Sequence, residues 1–243
     1  DITEGTPTSS SLAGTVVDAQ SGEPVIGANV TIAGPAQRQT STTIDGSFLF
    51  ENIPLGEYVL RVTASNFIEF TQDVIVGAEP VNVPVAISQQ LGDAQYRITL
   101  SWGEFPEDLD AHLLSGDYWI YFSNRGSPDP GTPPFIFLDR DDTDSFGPET
   151  VTIFDLSAPA TFHVHNYSGT PDIKESSAHV NVYRGDALVN SYDIPRAGEG
   201  VWWHVFTIDG NGNIVTQNVI DDIPPAAPGA VVQLPATKTQ HQP

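Results

Sequence analysis

Short segments in which apolar and polar residues alternate recur along most of this chain. Residues 14–18, 28–32 and 58–62 are examples near the start, and residues 161–165 and 202–208 follow later. A period of two residues is typical of a β-strand with one buried face, and turn residues separate the segments about every ten residues. The pattern has no helical period. It predicts an all-β protein built from β-sandwiches.

The length of the chain and the composition of its ends suggest how it is divided. A chain of 243 residues is long enough for one large or two ordinary domains with their own cores. We predict an immunoglobulin-like β-sandwich over residues 12–90, and a second, jelly-roll-like sandwich over residues 93–220. Residues 1–11 and the Pro- and Ala-rich residues 221–243 have the composition of extended linker segments.

Strand and turn residues of the first predicted sandwich form a family signature. They are Gly14, Thr15, Val16, Val17, Asp18, Gly22, Glu23, Pro24, Val25, Gly27, Ala28, Asn29, Val30, Thr43, Ile44, Asp45, Gly46, Phe48, Phe50, Ile53, Pro54, Gly56, Tyr58 and Ala64. With these residues the sandwich resembles the carboxypeptidase regulatory-like family, which has a seven-stranded fold of transthyretin type. The resemblance implies a non-catalytic spacer or presentation module of the kind found on bacterial surface proteins. Asn66 stands where the family usually has glycine, and asparagine tolerates a left-handed backbone better than most residues.

A second family signature extends over nearly the whole second predicted sandwich. Its residues are Trp102, Gly103, Asp108, Leu109, Asp110, His112, Leu113, Leu138, Asp139, Asp141, Asp142, Thr143, Gly147, Pro148, Glu149, Thr150, His165, Tyr167, Ser168, Val182, Tyr183 and Trp203. With these residues the sandwich resembles a bacterial family typified by the periplasmic YfaP-like proteins. This resemblance implies fold and export more than it implies an activity.

The charge of the chain excludes several classes of partner. Nine basic against 31 acidic residues give a net charge of −22. Nucleic acid is therefore not expected as a partner, because its binding requires a basic surface, and an anionic membrane is disfavoured for the same reason. There is no cysteine and no methionine, and no apolar run is long enough to span a membrane. We expect a mature, exported protein that is secreted or held at the cell surface.

A dense acidic stretch at residues 138–150 suggests cation chemistry. Crowded carboxylates are costly without a counter-charge, so the stretch is either a solvated loop or a site for a hard cation. Calcium fits best because it takes six to eight oxygen ligands. Asp108 and Asp110 form a second acidic pair earlier in the chain. With His112 they lie at i, i+2 and i+4, which places all three side chains on one face of a strand. The predicted calcium ligands are Asp108, Asp110, Asp139, Asp141, Asp142 and Asp144.

Other candidate sites are weaker. His163 and His165 share one strand face and would suit a transition metal, but half-exposed sheet residues are the simpler interpretation. Residues 209–213 offer oxygens in an EF-hand-like order, although a hairpin turn explains them better. The sequence carries neither the GxSxG nor the HExxH pattern, and no acidic pair stands out as catalytic. We therefore do not expect an enzyme.

Together these features predict a non-catalytic extracellular structural or adhesive protein. We expect calcium to stabilise it, and we expect a homo-oligomer or polymer that forms through the terminal segments. The apolar residues 231–234 would serve as one contact in that assembly. The alternative is a carbohydrate-binding accessory region of a secreted enzyme or adhesin, in which exposed aromatics of residues 118–122 or 202–203 stack on a glycan.

Overall fold

The computed structural model describes residues 7–226. The chain forms two compact units, one built mainly from the residues up to Gln90 and the other from Leu91 onward. The predicted contact segment 231–234 and most of the predicted terminal segments lie outside the described residues. The part of residues 1–11 that is described enters the first strand already at Ser9.

Seven of the described strands form the first unit, and they lie in two sheets. One sheet has the order β4-β1-β7 and the other the order β3-β2-β5-β6. The pair β1–β7 is parallel, whereas β1–β4 is antiparallel. The strands are β1 (Ser9–Asp18), β2 (Asn29–Ala33), β3 (Gln37–Ser41), β4 (Ser47–Pro54), β5 (Gly56–Thr63), β6 (Phe70–Val76) and β7 (Val81–Ile87).

Alternation along these strands builds the core of the first unit. In β5 the side chains of Tyr58, Leu60 and Val62 are buried, while those between them face outward. The core also includes Leu12 and Val16 of β1, so both sheets contribute to it. The sequence therefore specifies this sandwich strand by strand, as the period of two predicts.

Two turns of the first unit follow their sequence signals. Gly46 has a φ of 76° at the Asp45–Gly46 turn that leads into β4. Asn66 adopts a left-handed φ of 69°, which explains why asparagine is tolerated where the family has glycine.

Gly14 of β1 lies where the backbone has no room for a side chain. A Cβ atom at this position would lie 2.1 Å from the carbonyl oxygen of Val83 and 2.6 Å from the Phe48 ring. We expect Gly14→Ala to lower the free energy of unfolding by about 2 kcal/mol because neighbouring backbone must move. Denaturant unfolding measures this. Gly77→Ala is the matched control, since a Cβ there would meet nothing within 4 Å; equal losses in both variants would contradict the prediction.

The second unit is a sandwich of two five-stranded sheets. Their orders are β10-β9-β13-β16-β17 and β11-β12-β8-β14-β15. The strands are β8 (Tyr96–Ser101), β9 (Leu109–Ser115), β10 (Tyr118–Ile120), β11 (Ile136–Arg140), β12 (Glu149–Ile153), β13 (Ala160–Asn166), β14 (His179–Arg184), β15 (Ala187–Asp193), β16 (Trp202–Ile208) and β17 (Ile214–Asp221), with a short 3₁₀ helix at Ile173–Glu175. This architecture confirms the prediction of an all-β protein with sandwich folds.

The core of the second unit is formed by one face of each sheet. Strand β9 contributes Leu109, Ala111 and Leu113, and strand β13 contributes Phe162 and Val164. Because side chains alternate, Asp110, His112, His163 and His165 must project from the opposite face of the same sheet. The candidate site lies on that outer face.

Candidate functional site

Strand register brings acidic, imidazole and aromatic side chains together on the outer face of the sheet that contains β9. His163 of β13 lies opposite His112 of β9 on one side and His204 of β16 on the other. One step along, His165 lies between Asp110 and Trp202 in the same way. The sequence predicted the face of Asp110 and His112 and the face of His163 and His165 separately. The pairing of β9 with β13 places the two faces side by side.

Three carboxylates, which we name the carboxylate cluster, converge beside this face. Asp108, Asp110 and Glu149 each offer an oxygen, and these oxygens lie within 4.8 Å of one another. Asp110 and Glu149 are 1% exposed and Asp108 is 8% exposed. Like charges held this close and this far from water favour a bound cation or proton over three bare carboxylates.

Glu149 comes from the opposite sheet and reaches β9 at its edge. The short strand β10 pairs only with residues 113–115 of β9, so the edge at Ala111 is open to another acceptor. Glu149 Oε2 accepts the backbone N–H of Ala111 there. The hydrogen bond fixes the carboxylate next to Asp110.

Glu149 was not among the predicted ligands, although it closes the acidic stretch. A carboxylate as the first residue of an otherwise uncharged strand was the signal that could have found it. Asp108 and Asp110, two of the predicted ligands, both belong to the cluster, and their binding of a cation stays a prediction.

The other predicted ligands lie outside the carboxylate cluster. Asp139 accepts a hydrogen bond from Thr152 Oγ1 at 2.7 Å. Asp142 forms an ion pair with Arg140 at 2.5 Å and accepts the backbone N–H of Asp144. Asp144 is exposed and Asp141 is half-buried. Among the described residues, the groupings that bring three ligand atoms within 4.8 Å contain none of these four aspartates. Their role in a cation site stays a prediction.

A second grouping, Asp110 with His112 and His165, also brings three ligand atoms within 4.8 Å. The Nε1–H of Trp119 donates to His112 Nδ1 at 2.8 Å. A neutral imidazole that accepts at Nδ1 carries its hydrogen on Nε2, so neither nitrogen of His112 has a lone pair left for a metal. This grouping therefore lacks one of its three ligands, whereas the carboxylate cluster keeps all of its own.

Aromatic rings surround the acidic side chains. The ring of His165 stacks on Trp202 with 4.3 Å between centroids, and its Nδ1 lies 3.9 Å from Asp110 Oδ2. Tyr121 stacks on His112 at 5.5 Å, and Phe122 bridges Tyr121 to Tyr167 by edge contacts. These rings limit the access of water and raise the strength of any electrostatic interaction inside.

His163 and His204 form a separate hydrogen-bonded pair. Their Nδ1 atoms are 2.7 Å apart, and His204 Nε2 lies 3.0 Å from Asp221 Oδ1. Burial, together with the neighbouring His204, lowers the pKa of His163 from 6.5 to about 3. His163 is therefore neutral at physiological pH, and it pairs across the sheet with His204 instead of along its own strand with His165.

The acidic turn at residues 209–213 is a hairpin turn between β16 and β17. Asp209 accepts the backbone N–H groups of Asn211 and Asn213 and the side-chain amide of Asn213. These hydrogen bonds lower the pKa of Asp209, and the largest effect comes from the hydrogen bond with the Asn213 side chain. The preferred interpretation of this segment as a turn is confirmed.

A serine, a histidine and an aspartate also meet on β14 and β15, but not as a catalytic triad. His179 Nδ1 pairs with Asp193 at 2.7 Å, and its hydrogen bond lowers the pKa of that carboxyl. Its Nε2 lies 3.1 Å from Asn181 Oδ1, which also accepts from Ser191 Oγ. Asn181 therefore separates the hydroxyl from the imidazole that would have to activate it.

Comparison with known families bears on the first unit. Residues 11–91 match the carboxypeptidase regulatory-like domain. The match supports the resemblance predicted for the first sandwich. The matched residues contain the seven strands described above, except the first two residues of β1. The YfaP-like resemblance of the second unit stays a prediction, and the sequence has no match among curated proteins.

Several solved structures are similar to parts of this chain at low sequence identity. A homologue of the telluride resistance protein TerD from Streptomyces coelicolor is 19% identical, with a TM-score of 0.40 over 52% of this chain and 88% of its own. The 5-hydroxyisourate hydrolase of Klebsiella pneumoniae is 21% identical, with a TM-score of 0.28 over 33% of this chain and 90% of its own. BcpA, the major pilin subunit of Bacillus cereus, is 9% identical, with a TM-score of 0.31 over 76% of this chain and 67% of its own.

No helix among residues 7–226 is both long enough and apolar enough to cross a membrane.

Proposed function

We propose that the chain is a non-catalytic extracellular structural or adhesive protein whose second unit binds calcium at the carboxylate cluster. The convergence of Asp108, Asp110 and Glu149 within 4.8 Å is the observation that carries the proposal. All three are nearly inaccessible to solvent, and a divalent cation would offset their mutual repulsion. Calcium suits carboxylate ligands on loop and strand ends, and extracellular modules bind it at the concentrations found outside cells.

The burial of the cluster supports a structural role over a catalytic one. A substrate must reach the reacting oxygens, whereas Asp110 and Glu149 are 1% exposed. Bound calcium would instead join β9 of one sheet to β12 of the other, because Asp110 and Glu149 come from these strands. A cation that links the two sheets stabilises the native state alone, since the unfolded chain has no such site.

The packing of the aromatic rings also favours a structural role over the carbohydrate-binding alternative. Trp202 and Trp203 are 4% and 0% exposed, and one face of Tyr121 packs on His112. Tyr118, 43% exposed, is then the one exposed aromatic among the residues 118–122 and 202–203 that were predicted to bind a glycan. A sugar platform requires an exposed ring face. Self-assembly, the other part of the predicted function, would use terminal segments outside the described residues. A protein truncated to residues 12–221 that still forms the same assemblies as the full chain would contradict that part.

Thermal unfolding with calcium and with EGTA tests the proposal. At calcium concentrations about 1,000-fold above the dissociation constant, bound calcium is expected to add about 4 kcal/mol to the free energy of unfolding. The midpoint of the full chain should fall clearly in EGTA, and calorimetry should give saturable calcium binding. If the midpoint is the same in both buffers, the calcium proposal is wrong.

Asp110→Asn tests the position of the site. We expect this variant to lose most of the calcium-dependent rise in the midpoint. Asp144→Asn is the matched control because Asp144 is exposed and lies outside the cluster. A loss of calcium binding in the control but not in Asp110→Asn would move the site to the loop at residues 141–145.

A further inference from the structure

The histidine pair on β13 and β16 is distinct from the carboxylate cluster. The ring centroids of His163 and His204 lie 4.8 Å apart with the ring planes at 82°, and the two Nδ1 atoms face each other at 2.7 Å. Asp221 of β17 contacts the far nitrogen of His204. Three adjacent strands thus align an imidazole, a second imidazole and a carboxylate.

The carboxylate determines which nitrogen of His204 carries a hydrogen. Because Asp221 is an acceptor, Nε2 of His204 donates to it, and Nδ1 of neutral His204 is left with a lone pair. His163 Nδ1–H therefore donates to that lone pair over the 2.7 Å contact. A histidine whose second nitrogen donates to a carboxylate is the arrangement that orients metal-binding imidazoles in proteins.

We propose that His163 and His204 bind a transition-metal ion such as Zn²⁺ through their Nδ1 atoms, with Asp221 as the residue that positions His204. The ion would replace the hydrogen bond between the two rings, and the single proton of neutral His163 would move from Nδ1 to Nε2 by exchange with solvent. Two Zn–N bonds of about 2.1 Å in tetrahedral geometry require the nitrogens to separate to about 3.4 Å. The widening from 2.7 Å calls for small rotations of the rings. Water would occupy the two remaining positions.

Two further features fit an imidazole site. Imidazole is a preferred ligand of Zn²⁺ and Cu²⁺ but not of calcium, so the two sites select different ions. The side chains of His204 and Asp221 are 15% and 37% exposed, so an ion from solution would reach the pair from the side of His204 and not from that of the buried His163.

Calorimetric titration of the full chain with Zn²⁺, in excess calcium at neutral pH, tests this inference. Excess calcium occupies the carboxylate cluster where that site exists, so failure of either proposal does not affect the other. We expect one Zn²⁺ site per chain whose affinity falls at least about tenfold in His163→Gln and in His204→Gln. Asp221→Asn should weaken binding about tenfold through the orientation of His204 alone.

His179→Gln is the matched control, because it removes an imidazole paired with a carboxylate on the other sheet. Its Zn²⁺ affinity should equal that of the wild type. Circular dichroism checks that each variant is folded. If His163→Gln does not fold, the more exposed His204 and Asp221 variants decide the outcome. Absence of Zn²⁺ binding, or the same affinity in the wild type, His204→Gln and Asp221→Asn, would overturn the inference.

Discussion

Glu149→Gln should raise the thermal midpoint of the protein in EGTA and lower it in calcium. Without a cation, the substitution removes one of three crowded carboxylates and so relieves their repulsion. Glutamine has nearly the same shape, and its carbonyl oxygen is able to accept the Ala111 N–H that Glu149 accepts now. With calcium, the same change removes a charged ligand. The two effects have opposite signs, so the unfolding curves of wild type and variant should exchange order between the buffers.

The size of the effect in calcium follows from the affinity. If loss of the ligand weakens binding about a hundredfold, the variant loses about 2.7 kcal/mol of the calcium-dependent stability at saturating concentrations. Differential scanning calorimetry of both proteins in both buffers measures this. A purely structural glutamate would give a variant that is less stable in both buffers.

Asp142→Asn is the matched control for Glu149→Gln. It also removes a nearly buried carboxylate, but one that forms an ion pair with Arg140 outside the cluster. Loss of its partner leaves Arg140 without that charge, so we expect lower stability in EGTA and in calcium alike. An exchange of order in Asp142→Asn, and none in Glu149→Gln, would assign the cation to the loop.

The strands could be predicted from the sequence because each one is specified locally. Alternation gave the buried face of β5 at Tyr58, Leu60 and Val62, and the Asp45–Gly46 turn fixed the start of β4. The order of strands within the sheets could not be predicted in the same way. Pairs such as β1 with β7 and β9 with β13 join segments far apart in the chain, and only packing selects them.

The candidate site shows the same division. The spacing of Asp108, Asp110 and His112 predicted which side chains share a face, since this is a property of one strand. Glu149 and His204 join the site across sheets and strands, so nothing in the local sequence marks them as partners. The prediction therefore grouped acids that are close in sequence, such as Asp142 and Asp144, whereas the cluster groups acids that are close in space.

Acid should destabilise the protein through His163. Its pKa is about 3 in the folded protein and 6.5 ordinarily, because burial and the neighbouring His204 disfavour its charged form. Between these values the unfolded chain binds a proton at this residue and the native state does not. Stability from this group is therefore fully present above pH 6.5 and is lost as the pH falls toward 3.

The slope approaches about 1.4 kcal/mol per pH unit, so the loss two units below the ordinary value is about 2.7 kcal/mol. Urea unfolding of wild type and His163→Gln in EDTA, across this pH range, isolates the contribution, because glutamine does not titrate. As the pH falls, the variant should gain that amount of stability relative to the wild type. The same shift should appear in a His179→Gln background, since the two histidines lie in different sheets and distant sites add. Parallel curves of stability against pH for wild type and His163→Gln would contradict the prediction. They would mean that His163 accepts a proton in the folded protein as readily as in the unfolded chain.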